Sequence, residues 1–175
     1  MIHSRHMPDD PRLAEVLALI RSAFAGMEGR IDPPSSVHRL TEQGLAAAAA
    51  AGEVWSLGAP VAACMVLTPR PGRLYIGKMA VAAPCRGRGL SRALVALAET
   101  RARALSLPLL ELQTRIELVE NHATFAALGF VETARTAHPG HDRPTSVTME
   151  RAVPGVATAG QAMGARGTGD GVRTG

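Results

Sequence analysis

Aromatic residues and cysteines are scarce in this chain of 175 residues, which holds one tryptophan, one tyrosine, three phenylalanines and two cysteines. Cys64 lies in a predicted strand and Cys85 in a predicted loop, without the Cys-x-x-Cys spacing of a zinc site or the multiple pairs of a disulfide framework. We interpret both as thiols. His38, His138 and His141 also lack the spacing of metal ligands, so we expect no metal.

Long apolar runs are missing as well. The longest, around Leu45 to Ala51, is far shorter than the roughly 20 residues that cross a bilayer as a helix. Asp9 and Asp10 lie where a secretory signal would need apolar residues. We therefore expect a cytoplasmic protein with no membrane partner.

Lysine is nearly absent, since Lys78 is the only one among 19 basic residues. The formal net charge of +4 is too small to indicate a nucleic-acid surface, so we do not expect nucleic acid as the main partner. One alternative that stays open is an RNA-associated protein that uses its arginines, namely Arg86, Arg88, Arg92, Arg101 and Arg103.

The overall composition, with 46% hydrophobic and 19% charged residues, is typical of one globular domain. It changes after Arg151, where the chain becomes rich in glycine and loses any apolar period. We predict a folded domain over residues 1–152 and a disordered tail over 153–175.

Apolar spacing and turn residues predict seven strands and four helices. The strands are expected over 2–7, 53–57, 61–68, 73–81, 107–114, 130–136 and 145–151, and the helices over 11–26, 36–51, 87–106 and 117–128. Short turns join the second, third and fourth strands into an antiparallel meander. The order favours an α+β fold, with a mixed, mostly antiparallel sheet covered by helices on both faces.

The most informative segment is Arg86-Gly87-Arg88-Gly89-Leu90-Ser91, between an apolar strand and an amphipathic helix. The first backbone N–H groups of a helix have no intrahelical acceptor, and glycines let an anion approach them closely. Arg92 stands where a dinucleotide fingerprint would need its third glycine, and the Gly-Lys-Ser/Thr of a Walker loop is missing. The segment therefore predicts a phosphate site of another kind.

This segment resembles the acyl-CoA loop Gln/Arg-x-x-Gly-x-Gly/Ala of the GNAT superfamily of N-acetyltransferases, except that Ser91 takes the last place. The resemblance extends to the strand ending Met79-Ala80-Val81 and to the later helix ending Leu128-Gly129-Phe130, and it covers roughly residues 2–151. It implies the GNAT fold and an acetyl-CoA-dependent enzyme that acetylates the amine of a small or amino-acid-like acceptor by direct transfer. Many members of the superfamily pair through C-terminal strands, so the resemblance leaves a homodimer open.

The same resemblance implies which residues hold acetyl-CoA. The strand end would bind the pantetheine arm through its backbone, the glycine loop would bind the pyrophosphate, and the later helix would flank the coenzyme. The residues are Met79, Ala80, Val81, Arg86, Gly87, Arg88, Gly89, Leu90, Ser91, Arg92, Asn121 and Phe125.

The catalytic groups are less evident. Many superfamily members place a tyrosine four residues before the Gly-Phe pair as the proton source, and Phe125 stands there. Tyr75, the only tyrosine, is our catalytic candidate; the alternative is a strand aromatic packed in the core. No acid occurs between Arg73 and Val81, so the base would be Glu28, Glu111 or water. These departures leave a second function open, a non-catalytic acyl-CoA-binding sensor or regulatory module.

The acceptor is expected where two polar, proline-containing loops converge opposite the coenzyme, over residues 28–36 and 138–143. The candidate substrate residues are Glu28, Arg30, Asp32 and His138. Arg30 and Arg143 would select a carboxylate on the acceptor, whereas Glu28, Asp32 or Asp142 would select an amine, and the sequence does not decide between them. Solvent-exposed connections are the alternative for both loops.

Overall fold

The computed structural model describes residues 2–158, and it contains the predicted order of strands and helices. The strands are β1 (His3–His6), β2 (Glu53–Leu57), β3 (Ala63–Arg70), β4 (Arg73–Val81), β5 (Leu109–Arg115), β6 (Val131–Thr136) and β7 (Ser146–Ala152). The α-helices are α1 (Leu13–Ala25), α2 (Glu42–Ala51), α3 (Leu90–Ala104) and α4 (Val119–Ala127).

The helix predicted over 36–51 is divided in two. A short 3₁₀ turn spans Ser36–Arg39, and Leu40 then adopts an extended conformation with ψ of 131°. The hydroxyl of Thr41 accepts the backbone N–H of Gly44 at 3.1 Å, so Thr41 caps a new helix that begins at Glu42.

All seven strands form one sheet in the order β1-β2-β3-β4-β5-β7-β6. Only β4 and β5 run parallel; the other neighbours are antiparallel, which confirms the mixed sheet and the β2-β3-β4 meander. Strand β3 supplies side chains to both faces of the sheet. Met65 and Leu67 pack with α3 on one face, and Cys64 and Val66 pack with α1 and α2 on the other, so helices cover both faces.

The sheet opens between its two parallel strands. Strand β4 pairs with β5 only from Arg73 to Ile76, after which β5 continues beside β7 alone. The second half of β4 also contains a bulge opposite β3. Gly77 and Ala80 of β4 pair with Val66 and Cys64 of β3, so two residues of β4 lie opposite one residue of β3. The bulged Lys78 has a positive φ of 51°. The end of β4 thus pairs with β3 on one side and faces a gap on the side of β5.

The boundary of the folded domain at residue 152 stays a prediction. Val153, the next residue, is buried with core side chains of α3 and β5. Most of the predicted tail, residues 159–175, lies outside the described residues. Within the described part of the chain, no helix has the length and apolar character to cross a bilayer.

A buried ion pair connects β2 to α3. The Glu53 carboxylate accepts hydrogen bonds from Arg101 Nε at 2.9 Å and Nη2 at 2.7 Å, and from Trp55 Nε1 at 2.7 Å. Burial alone would raise the pKa of Glu53, but the hydrogen bonds from Arg101 and Trp55 outweigh it and lower that pKa.

We expect Glu53→Ala to lower the free energy of unfolding by about 2–4 kcal/mol, because Arg101 and the Trp55 N–H lose their buried acceptor. Chemical denaturation monitored by tryptophan fluorescence or circular dichroism measures the change. Glu132→Ala is the matched control, since Glu132 pairs with Arg135 in solvent and its loss should leave stability unchanged. Equal stability of Glu53→Ala and the control would contradict the assignment.

Candidate active site

A cavity of about 690 Å³ occupies the gap beside the end of β4, and we call it the loop cavity. Its walls come from β4, from the glycine loop and the first turn of α3, from α4, and from the end of α1. Of the twelve residues predicted to hold acetyl-CoA, all except Arg88 line it: Met79, Ala80, Val81, Arg86, Gly87, Gly89, Leu90, Ser91, Arg92, Asn121 and Phe125.

The glycine loop presents backbone donors to this cavity. Gly87 and Gly89 have φ of +74° and +77°, a left-handed conformation that β-branched residues avoid. The first intrahelical bond of α3 runs from the Ala93 N–H to the Gly89 carbonyl, so the three preceding N–H groups of the helix have no acceptor within it. No acidic residue occupies this first turn, so the helix end is suited to an anion.

Helix α4 forms the opposite wall. None of its residues is buried, and Asn121 and Phe125 face the cavity. The ring of Phe125 packs edge-to-face on Phe130, with centroids 6.1 Å apart. Phe125 is thereby fixed as an apolar wall of the cavity, at the position where the family resemblance implied a tyrosine.

A second cavity of about 570 Å³ adjoins the first, and we call it the inner cavity. It is lined by Tyr75, Lys78, Arg115 and His138, among others. Six residues line both cavities, which places the junction between the two: Phe24, Met27, Met79, Leu118, Asn121 and Phe125.

Tyr75 is held firmly at the wall of the inner cavity. The Arg70 guanidinium lies 3.8 Å from the ring centroid, and a Cβ on Gly77 would come within 3.2 Å of Tyr75 Cε1. Among the described residues, no hydrogen bond involves the Tyr75 hydroxyl. Burial raises the pKa of Tyr75, so the hydroxyl keeps its proton at neutral pH and can act as a donor.

Neither carboxylate considered as a base lines the loop cavity or the inner cavity. The buried Glu111 accepts hydrogen bonds from Arg70 at 2.9 Å and from Arg73 at 2.6 Å. Glu28 is exposed and lies 3.3 Å from His38. Glu111 therefore acts on the site only through Arg70, which it holds over the ring of Tyr75.

The structure brings the two polar loops together. Asp32 contacts Arg143 at 3.1 Å and His141 at 3.5 Å, which joins the loop at 28–36 to the loop at 138–143. His138 lines the inner cavity, whereas Arg30 lines the loop cavity and pairs with Glu120 at 2.5 Å.

Several lining residues were not predicted from the sequence. Arg115 ends β5, Lys78 is the bulged residue of β4, and Phe24 and Met27 come from the end of α1. A charged residue at the end of a buried strand was the available signal for Arg115, but its role depends on which strands pair around it.

A triad of catalytic residue types lies elsewhere and has a structural role. His6 hydrogen-bonds Asp10 at 2.7 Å through Nδ1 and Ser56 at 2.7 Å through Nε2. Ser56 is fully buried and lines neither cavity, so no substrate reaches its hydroxyl. The network fastens β1 to β2 and to the segment before α1.

Comparison with known proteins identifies one family. The model of the acetyltransferase (GNAT) family matches residues 14–130. Compared by sequence with curated proteins, the chain has no significant match. Within residues 2–158, no group of three or more histidine, cysteine or acidic side chains is placed to hold a metal ion.

Solved structures share the fold. The ribosomal-protein-S18-alanine N-acetyltransferase from Escherichia coli is 17% identical with a TM-score of 0.61, over 87% of this chain and 94% of that chain. The IAA acetyltransferase from Bacillus cereus is 19% identical with a TM-score of 0.60, over 86% and 98%. The protein smu.2055 from Streptococcus mutans is 14% identical with a TM-score of 0.69, over 87% and 99%. At these identities the likeness concerns the fold alone.

Proposed function

The chain belongs to the acetyltransferase (GNAT) family, whose members transfer acyl groups from acyl-CoA, and we propose that it is an N-acetyltransferase that moves the acetyl group of acetyl-CoA directly to the amine of a small acceptor. The observation that carries this proposal is the junction of the loop cavity and the inner cavity at Met79, Asn121 and Phe125. A coenzyme in one cavity and an acceptor in the other would meet there.

Acetyl-CoA fits the groups that the loop cavity offers. Its pyrophosphate would accept hydrogen bonds from the N–H groups of Leu90, Ser91 and Arg92, with added attraction from the Arg86 and Arg92 side chains. Its pantetheine arm contains amides, and it would lie along Met79 to Val81 as an additional strand in the gap between β4 and β5. The thioester would then lie at the junction.

In the proposed direct transfer, no covalent bond forms between the acetyl group and the protein. The neutral amine attacks the thioester carbon, the carbonyl oxygen takes up negative charge, and the C–S bond breaks to leave a thiolate that takes up a proton. Tyr75 is the proposed donor to that thiolate, because its hydroxyl is unpaired and keeps its proton. No carboxylate is among the described residues that line the inner cavity. The ring nitrogens of His138 contact Arg115 and Thr145, and His38 lies beside Glu28, so water is the proposed acceptor of the amine proton.

Calorimetric titration with acetyl-CoA tests the first half of the proposal, and release of free thiol on addition of amines tests the second. We expect saturable binding, and thiol release that requires both protein and amine. Absence of binding at millimolar coenzyme would refute the proposal. Binding without thiol release across a broad amine panel would instead support the alternative, an acyl-CoA-binding module, which the replacement of tyrosine by Phe125 favours.

A further inference from the structure

The inner cavity is lined by cationic and imidazole side chains. Arg39, Lys78 and Arg115 contribute cations, and His38 and His138 contribute imidazoles. Among the described lining residues there is no aspartate or glutamate. Charges of one sign on the walls of a confined cleft attract ligand groups of the opposite sign.

Arg115 is fixed at one end of its guanidinium. It is the last residue of β5, beside Ser146 of β7. Its Nη1 lies against the ring of His138, 2.8 Å from Nε2 and 3.0 Å from Nδ1. Nδ1 of the same ring lies 2.5 Å from Thr145 Oγ1, which also accepts the backbone N–H of His138 at 2.9 Å. Thr145 therefore orients the histidine, and the histidine orients Arg115.

The other edge of the same guanidinium has no hydrogen-bond partner among residues 2–158. Arg115 Nε and Nη2 are both buried there, and no described residue accepts a hydrogen bond from either atom. These two N–H groups point the same way and form the fork that binds both oxygens of a carboxylate. Buried donors without an acceptor cost free energy, so an incoming carboxylate would recover a loss that is already present in the unliganded protein.

The neighbouring charges do not occupy this fork. Arg30 and Arg143, which the sequence suggested for a carboxylate, are paired with Glu120 and Asp32. Glu117 and Asp32 are both close enough to interact with Arg115 electrostatically, and Glu117 Oε2 is also buried without a hydrogen-bond partner among the described residues. No ion pair within 4.0 Å joins either carboxylate to Arg115 among those residues. One oxygen of Glu117 accepts the N–H of Asp32 at 3.3 Å.

We infer that the acceptor carries a carboxylate near its amine, as a free amino acid does, and that the free edge of Arg115 binds this carboxylate in the inner cavity. The inference rests on the proposed function for the position of the amine. Arg115 is then the specificity-determining residue, with His138 as its positioning residue.

The test compares acceptors that differ only in this group. Free amino acids and the corresponding amino-acid amides are titrated into the protein saturated with CoA, and the same pairs are then assayed for acetylation with acetyl-CoA. We expect the free acids to bind about 10- to 100-fold more tightly than the amides, as for a charge-assisted hydrogen-bonded pair. Equal binding of acids and amides would overturn the inference.

Variants of Arg115 test whether this residue causes the preference for free acids. Arg115→Gln removes the charge, and Arg115→Lys keeps the charge without the fork. Both should remove most of the preference for acids while the affinity for acetyl-CoA stays unchanged. Arg135→Gln is the matched control, an exposed arginine on β6 that lines neither cavity, and should keep the preference. Loss of stability in both Arg115 variants with the preference intact would show that Arg115 only balances Glu117, and would overturn the inference.

Binding and turnover separate the two proposals. If the protein binds the free acids preferentially but acetylates none of them, the carboxylate site is supported and the proposed reaction is refuted. If the protein acetylates acids and amides with equal kcat/KM, the reaction is supported and the carboxylate site is refuted. The acid and amide pairs on the unaltered protein give this answer even if the Arg115 variants fail to fold.

Discussion

Gly89→Val is expected to weaken acetyl-CoA binding by on the order of 100-fold or more while the protein stays folded. Gly89 has φ of +77° and immediately precedes α3. Valine is strained in this left-handed conformation, so the loop must change its path and the N–H groups of Leu90, Ser91 and Arg92 lose their common direction. Each charge-assisted hydrogen bond to the pyrophosphate contributes about 1.5–3 kcal/mol, and losing even two of them gives an effect of this size.

Gly72→Val is the matched control. Gly72 lies in the turn between β3 and β4, has φ of +73°, and has open space where a Cβ would be added, as Gly89 does. Both variants therefore carry the same backbone strain, at different distances from the loop cavity. Of the two variants, only Gly72→Val should show nearly normal coenzyme affinity in calorimetric titration. Unchanged affinity in a folded Gly89→Val protein would mean that the coenzyme does not use this loop.

Tyr75→Phe is expected to lower kcat by about 100-fold, the lower end of what a positioned proton donor contributes. The phenyl ring keeps the packing between Arg70 and Gly77, so only the hydroxyl is lost. Tyr75 lines the inner cavity and not the loop cavity, so the dissociation constant of acetyl-CoA should stay unchanged. Steady-state kinetics and calorimetry on the same protein measure both quantities.

A second substitution tests the position of the hydroxyl. Phe125→Tyr adds a phenol at the junction of the two cavities, and in the Tyr75→Phe background it should recover part of the lost kcat. If Tyr75→Phe has the same kcat as the unaltered protein, Tyr75 serves packing only. The thiolate is then released without a donor from this side chain.

Much of the fold was predictable because its signals are local. Strands β2 and β4 begin and end where the sequence predicted, since turn residues flank both and their apolar pattern is continuous. The predicted start of α2 at Ser36 was wrong because no proline separates Ser36 from the alanine-rich part of the helix, so the pattern showed no break. In the structure, the extended Leu40 ends one turn and the capping Thr41 begins the helix.

The candidate site also combines residues that could be predicted from the sequence with residues that could not. The residues of the glycine loop are contiguous, so their common orientation toward one cavity follows from a strand, two glycines and a helix. Arg115 and His138 are distant in the sequence and meet only because β5 pairs with β7, which brings the loop between β6 and β7 to the end of β5. Glu111 looked like a free carboxylate in the sequence, and only the pairing of strands shows that two arginines occupy it.

The most direct test of the account is the product of the reaction, identified by mass spectrometry after incubation with acetyl-CoA and a panel of free amino acids. We expect the unaltered protein to form an N-acetyl amide of at least one amino acid, and Gly89→Val to form none at the same coenzyme concentration. Saturable binding of acetyl-CoA with no acetylated product from any amine would contradict it.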